Sequence, residues 1–341
     1  MNIRKYISID YFRIIAALLI VAIHIYPFIK INETINFVFT HIICRLGVPF
    51  FLVITGYFTL PRCLKNKENL WKYMKRILKL YIFCIILYFP INLYSGQIKD
   101  VSAIQIIKDV LINGTFYHLW YLPATILGML ITYFIIRNMN RKMQIVIITT
   151  LYIIGLFGDS YYGIAQQSEI LKNLYSIIFT ITDYTRNGLF FSPVFLYIGY
   201  EFSKNNKQEN VKKTYTKLFI FGLSMIMEGL ILYIYDLQRH TSMYIMLVPT
   251  IYFLFKVLLN YKNQPNKKIR SIATNVYILH PIFIIFIRGV GKITNLSSII
   301  VENNLIHYII VCSITLVFCI VFDKIKDYFI KKQNNINKTE L

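Results

Sequence analysis

Residues 11–28 read YFRIIAALLIVAIHIYPF. The run holds two ionisable side chains, Arg13 and His24, in a length close to the roughly 20 residues that carry an α-helix across bilayer hydrocarbon. It decides the fold, because the pattern repeats along the chain. Residues 41–58, HIICRLGVPFFLVITGYF, are the next such run. The whole 341-residue chain is 56% hydrophobic and 16% charged, against about 25% charged in soluble proteins. Its mean hydropathy is +0.54. So few charges cannot coat so much apolar surface. An ordinary soluble enzyme, a secreted disulfide scaffold, a disordered chain and a nucleic-acid binder are all excluded. Cys44, Cys63, Cys84, Cys312 and Cys319 are scattered, with no CxxC pair and no metal-ligand spacing. Neither a disulfide nor a metal site is expected.

The sequence predicts an all-α polytopic membrane protein, one membrane-embedded domain over 1–341. About ten spans are read, at 11–29, 36–60, 77–95, 119–136, 143–158, 188–202, 218–235, 243–260, 271–289 and 305–322. Lys and Arg total 37 against 16 Asp and Glu, a net charge of +21. That charge separates by loop. The N-terminus and the segments 61–76, 137–142, 203–217, 256–270 and 323–341 hold 26 of the basic residues. The opposite side holds eight: Lys30, Lys99, Lys108, Lys172, Arg186, Arg239, Arg288 and Lys292. Positive charge marks the cytoplasmic side and suits anionic lipid. The split predicts a multi-pass protein of the plasma membrane with both termini cytoplasmic. Arg4 and Lys5 before the first run resemble a signal n-region, but no A-x-A site follows, so that helix is expected to stay. Segment 101–112 (VSAIQIIKDVLI) has apolar residues at helical spacing and is expected to lie on the outer leaflet.

Ionisable groups inside a span cost several kcal/mol unless paired, so each is a candidate functional residue. Arg13 and His24 are eleven residues apart, about three turns plus 20°, and project from one helix face some 16 Å apart. Asp10, three residues before Arg13, can pair with it. The alternative is a structural ion pair and a His bonded to a neighbouring helix. Arg45 falls at mid-membrane beside Gly47 and Pro49, where an anion, free carbonyls or a carboxylate such as Glu228 can satisfy it. Lys75, Arg76 and Lys79 make a cationic face suited to phosphates, or to snorkelling at the boundary. His118 and Trp120 open a span on the outer side within YHLWYLP, where an aromatic belt is the plainer reading. Arg186 precedes another span there. His280 stands before Pro281, which leaves the Tyr277 carbonyl without a helical N–H; His280 either lines a cavity or bonds that carbonyl.

These residues resemble the acyltransferase family 3 integral membrane proteins. Arg13 and His24, preceded by Asp10, match that family's R-x10-H pattern. Gly47 to Phe58 (GVPFFLVITGYF) is similar to its second-helix signature, with Thr55 where Ser is usual. Arg76 to Lys79 resembles its R-x-x-R motif, with Lys in the second place, which keeps the charge but loses bidentate geometry. Three stretches, Tyr117–Pro123, Asp183–Gly188 and Tyr277–Pro281, resemble the membrane half of vancomycin-resistance serine racemases. About 18 residues follow the last span, so no racemase half, and no pyridoxal phosphate lysine, is expected here.

The resemblance implies a ten-helix fold and transfer of an acyl group from cytoplasmic acetyl-CoA to a hydroxyl of an extracytoplasmic cell-envelope acceptor, a glycan or a small molecule. It implies His24 as base or acyl carrier, and Arg13 and Arg45 as orienting or oxyanion groups. Asp10 would fix Arg13, and Lys75, Arg76 and Lys79 would meet CoA. His118, Trp120, Arg186, His280 and Glu228 would line the acceptor side. No metal is called for. The competing reading is serine transport or supply beside a separate racemase, with Arg45, His280 and Glu228 meeting the amino acid near mid-membrane.

Overall fold

The computed structural model describes residues 6–97, 101–204, 210–261 and 266–339. Arg4, Lys5, Lys99, Lys207 and Lys262, which enter the charge count, lie outside the described residues. Every regular element among the described residues is helical. Each expected span coincides with a helical stretch: α1 (Ile7–Ile25), α2 (Glu33–Lys65), α3 (Lys67–Tyr94), α4 (Tyr121–Asn138), α5 (Arg141–Phe157), α6 (Ser192–Lys204), α7 (Val211–Ile234), α8 (Leu247–Leu258), α9 (Lys267–Ile293) and α10 (Asn304–Thr339). Seven of them, α1 to α4, α7, α9 and α10, are long and apolar enough to cross a membrane. The others have 17, 13 and 12 residues, short of hydrocarbon about 30 Å thick at 1.5 Å per residue.

Asparagine sets the helix starts at the basic loops. Asn66, Asn140, Asn210 and Asn266 each accept a backbone N–H from the first turn of α3, α5, α7 and α9. An extended residue with a short side-chain oxygen satisfies donors that the helix cannot. Chain entry into these four helices is therefore written in single residues.

The chain divides into two compact units, residues 1–47 with 256–341 and residues 48–255. In the first, α1, α9 and α10 share a core of Ala17, Val21, Ile25, Val276, Ile284, Ile287, Val311, Cys312 and Cys319. Lipid tails are as apolar as these side chains, so close packing and hydrogen bonds hold such helices together. Tyr308 Oη donates to the Leu18 carbonyl and Asn304 Nδ2 to that of Ile25. Gly47 in α2 lies where a Cβ would stand 3.0 Å from the Ala16 carbonyl oxygen, so any larger residue would need α1 and α2 to give by a few tenths of an ångström.

In the second unit, α6 packs on α4 and on the latter half of α2. That crossing uses a reciprocal glycine pair. A Cβ on Gly56 would run into the Leu196 carbonyl, and one on Gly199 into the Val53 carbonyl. The segment expected to lie flat on the outer leaflet is tied to α3. Residues 103–113 are helical, and Tyr81 Oη donates to the Val110 carbonyl at 2.9 Å, and Asn92 Nδ2 to that of Thr115 at 2.6 Å. The segment thus runs beside α3, because its polar face finds partners within the protein.

Candidate functional site

In the first unit, regular helix geometry brings His24 of α1 against His280 of α9. The rings stack with centroids 5.5 Å apart and planes 18° apart. His280 is fully buried. Its Nδ1 donates to the Tyr277 carbonyl at 2.8 Å and to that of Val276 at 3.1 Å. Carbonyls only accept, so Nδ1 carries a hydrogen. The carbonyl left open by Pro281 is therefore filled by His280 itself, and this same bond fixes the ring beneath His24. His24 is only partly buried.

Asp10 is buried and joins helices. Arg270 of α9 grips it with Nε at 2.8 Å and a terminal nitrogen at 3.2 Å, and the Asn266 amide adds a third bond at 3.0 Å. Arg13 stands farther off, at 3.6 Å. Asp10 does pair with Arg13, but Arg270 is its principal partner. A single carboxylate thus ties the start of α1 to the start of α9 and stands between two guanidinium groups.

Arg45 sits where α2 is irregular. A π-helical turn spans Phe37–Ile42 and a tighter turn Ile43–Leu46. Such irregularities recur at functional sites. The π turn also presents His41, stacked on Phe37 at 5.1 Å and on Tyr26 at 5.6 Å. Tyr26 ends α1 in the left-handed conformation, two residues after His24. Sequence reasoning passed over His41 and Arg270. His41 had a signal, since it and Arg45 are the ionisable residues of one apolar run. Arg270 had none beyond its position in a basic loop.

The second unit assembles its candidates on loops. The Arg186 guanidinium lies over the Tyr184 ring at 4.4 Å and over the Trp120 ring at 5.1 Å. Both rings stabilise the cation through their faces. Tyr184 in turn packs on His240 at 4.5 Å. Close by is Asp159, which sequence reasoning also missed. It is fully buried, and its Oδ1 accepts from the Ser242 amide at 2.6 Å, the Met243 amide at 3.0 Å and the Ser160 hydroxyl at 3.0 Å. Burial pushes its carboxyl above the ordinary carboxylate range, against the pull of those amides and of Arg186. The pair Trp120–Arg186 is thus brought together as a cationic, aromatic corner.

His118 is buried, not part of an interfacial belt. Its ring sits among Tyr88, Phe116 and Tyr117, with centroids 4.9 to 5.7 Å away. Glu228 is committed locally: its carboxylate accepts from the Tyr161 hydroxyl at 2.6 Å and from the Ile245 and Met246 amides at 2.6 and 2.8 Å. Three donors make it a tie for the turn ahead of α8. Lys75, Arg76 and Lys79 are all exposed on α3, and Arg76 lies over the Tyr73 ring at 5.4 Å. They are placed to meet a soluble anion or lipid headgroups alike.

Comparison with known proteins adds the following. The family described as "Acyltransferase domain" matches residues 6–324. Over 319 residues the chain is 41% identical to an amino-acid racemase of Enterococcus faecalis, covering 93% of this chain and 45% of that protein. A second amino-acid racemase from the same organism is 38% identical over 321 residues. A serine/alanine racemase of Enterococcus gallinarum is 32% identical over 322 residues, 92% of this chain and 45% of that protein. The chain thus spans about half the length of these curated relatives. No solved structure matches.

Proposed function

Because the chain belongs to the acyltransferase family 3 of integral membrane proteins, we propose that it moves an acyl group, acetyl from acetyl-CoA, to a hydroxyl of an extracytoplasmic acceptor. The observation that carries the reading is the His24–His280 pair, a partly buried imidazole backed by a ring whose orientation is fixed. His24 takes the proton from the acceptor hydroxyl as its oxygen attacks the thioester carbonyl. The C–S bond then breaks, the new ester forms, and the proton passes to the departing CoA thiolate. Arg45 stabilises the negative charge that develops on the carbonyl oxygen, and Arg13, paired with Asp10 and about three turns from His24, orients the donor. Lys75, Arg76 and Lys79 attract the CoA phosphates. With the basic loops cytoplasmic, both termini lie in the cytoplasm and the donor arrives from that side.

A second reading, serine transport or supply, is favoured by one observation. The relatives are named for amino-acid and serine/alanine racemization, and the matched region is only part of them. Arg186 between Trp120 and Tyr184 suits an amino-acid carboxylate as well as it suits an anionic acceptor. Calorimetry of acetyl-CoA with purified protein separates the two. Saturable binding, weakened when Lys75, Arg76 and Lys79 are all changed to Ala, supports the transferase. Folded, monodisperse protein that binds no acetyl-CoA but carries labelled serine into vesicles overturns it.

A further inference from the structure

Two short helices of the second unit carry apolar faces that are exposed among the described residues. Helix Glu169–Ile181 exposes Ile170, Leu174, Ile177 and Ile181, at i, i+4, i+7 and i+11, with Ile170 80% exposed. Its opposite face is anchored. Tyr175 Oη donates to the Ile154 carbonyl at 2.6 Å, and Phe179 lies 3.4 Å under the Arg239 guanidinium. Segment 103–113 exposes Ile104, Ile107 and Leu111 in the same way, Ile104 to 68%.

The polar face of that segment joins the two. Gln105 Nε2 donates to Asp109 at 2.9 Å and to Asp183 at 3.2 Å. Asn113 Nδ2 does the same at 3.1 and 2.8 Å, and Asn113 Oδ1 accepts the Asp183 amide at 3.2 Å. Asp183 follows helix Glu169–Ile181 directly, so two side-chain amides rivet the helices into one bracket. The bracket stands beside a span, since Tyr81 of α3 holds the Val110 carbonyl. There α3 exposes its own stripe, Ile82, Ile86, Phe89 and Leu93, with the spacing of a lipid-facing helix. A run of large apolar side chains continuous with a spanning helix and edged by Lys172, Asn173, Ser176 and Thr180 has the chemistry of an interfacial helix.

We propose that this bracket is seated in the phospholipid bilayer at the headgroup–acyl boundary, and that it holds the loop bearing Tyr184 and Arg186 at that boundary. Lipid is its partner; the polar seam of Gln105, Asp109, Asn113 and Asp183 is its internal weld. The assignment stands whether the chain transfers acyl groups or carries serine.

The test uses the full chain in phosphatidylglycerol/phosphatidylethanolamine nanodiscs. All five native cysteines are buried, so Ile107→Cys, Ile177→Cys and the control Lys172→Cys can each be labelled with bimane. The expected result is blue-shifted emission at Ile107→Cys and Ile177→Cys, with loss of intensity to shallow spin-labelled lipid and protection from aqueous iodide. Lys172→Cys should show the reverse. Iodide quenching at the two isoleucine positions as strong as at the control would overturn the proposal. So would protection from both quenchers, which would mean that a second copy or another protein covers the face. Gln105→Leu, which removes one rivet at little cost to folding, should raise iodide access at Ile107→Cys. No change in that variant would contradict the weld.

Discussion

The two units hold their polar groups by different means. In the first, His24, His280, Asp10 and Arg270 all stand on long helices, and helix spacing alone aims them. In the second, Arg186, Asp159 and Ser160 stand on connections, aimed by bonds to residues as far as 84 positions away in sequence. The first arrangement is rigid because two helices would have to separate to undo it. The second depends on the closure of several loops. Chemistry that needs a group placed to within a fraction of an ångström is better served by the former; adaptable recognition tolerates the latter.

The largest expected effect falls on the crossing that supports the second unit. Gly56→Val places side-chain atoms in the Leu196 carbonyl. It should abolish folded, monodisperse protein by size-exclusion chromatography, because backbone must move to admit any Cβ. Survival of the fold would mean that α2 and α6 can part freely.

Next in size is the clamp on Asp10. Asp10→Ala removes three hydrogen bonds and leaves Arg270 without its carboxylate. Because Arg270 is over a third exposed, the loss should be moderate, about 1–3 kcal/mol. It should read as a melting temperature several degrees lower. An unchanged melting temperature would show that α1 and α9 are held by packing alone.

A pH effect then sharpens the contrast on the loop side. Burial raises the native Asp159 carboxyl above its ordinary value of 3.8. Folding therefore favours the protonated acid, and the contribution of Asp159 to stability falls as pH rises from about 4 through the native value. Asp159→Asn should flatten the dependence of melting temperature on pH in that window. An identical slope in wild type and variant would remove Asp159 from the account. The smallest change is expected of Arg186→Lys, which keeps the charge but gives up planar contact with Tyr184 and Trp120. It should cost about 1 kcal/mol or less in stability, read as a small fall in melting temperature; no fall at all would mean that the stacking on Tyr184 and Trp120 contributes nothing.

What was legible in the sequence follows the same line. The helices were readable because apolar runs of membrane length need no tertiary context, and the Arg13–His24 register because eleven residues return a helix to one face. The Pro281 defect announced a free carbonyl, and His280 fills it. Asp10 was rightly paired with Arg13, yet its stronger partner, Arg270, lies 260 residues away, beyond any local pattern. Asp159 escaped notice for the same reason, since its donors are the backbone amides of a distant loop. Segment 103–113 was read from its apolar spacing alone, without its other face. Gln105, Asp109 and Asn113 needed partners that Asp183 supplies.

The central claim is that His24 is the base in acyl transfer. The direct measurement is turnover of labelled acetyl-CoA by purified protein in detergent, wild type beside His24→Ala. Both proteins are first matched in melting temperature and elution. The account predicts slow hydrolysis or transfer by the wild type, lowered on the order of 10²- to 10⁴-fold in the variant, with acetyl-CoA affinity nearly unchanged. Turnover equal in the two proteins would contradict it.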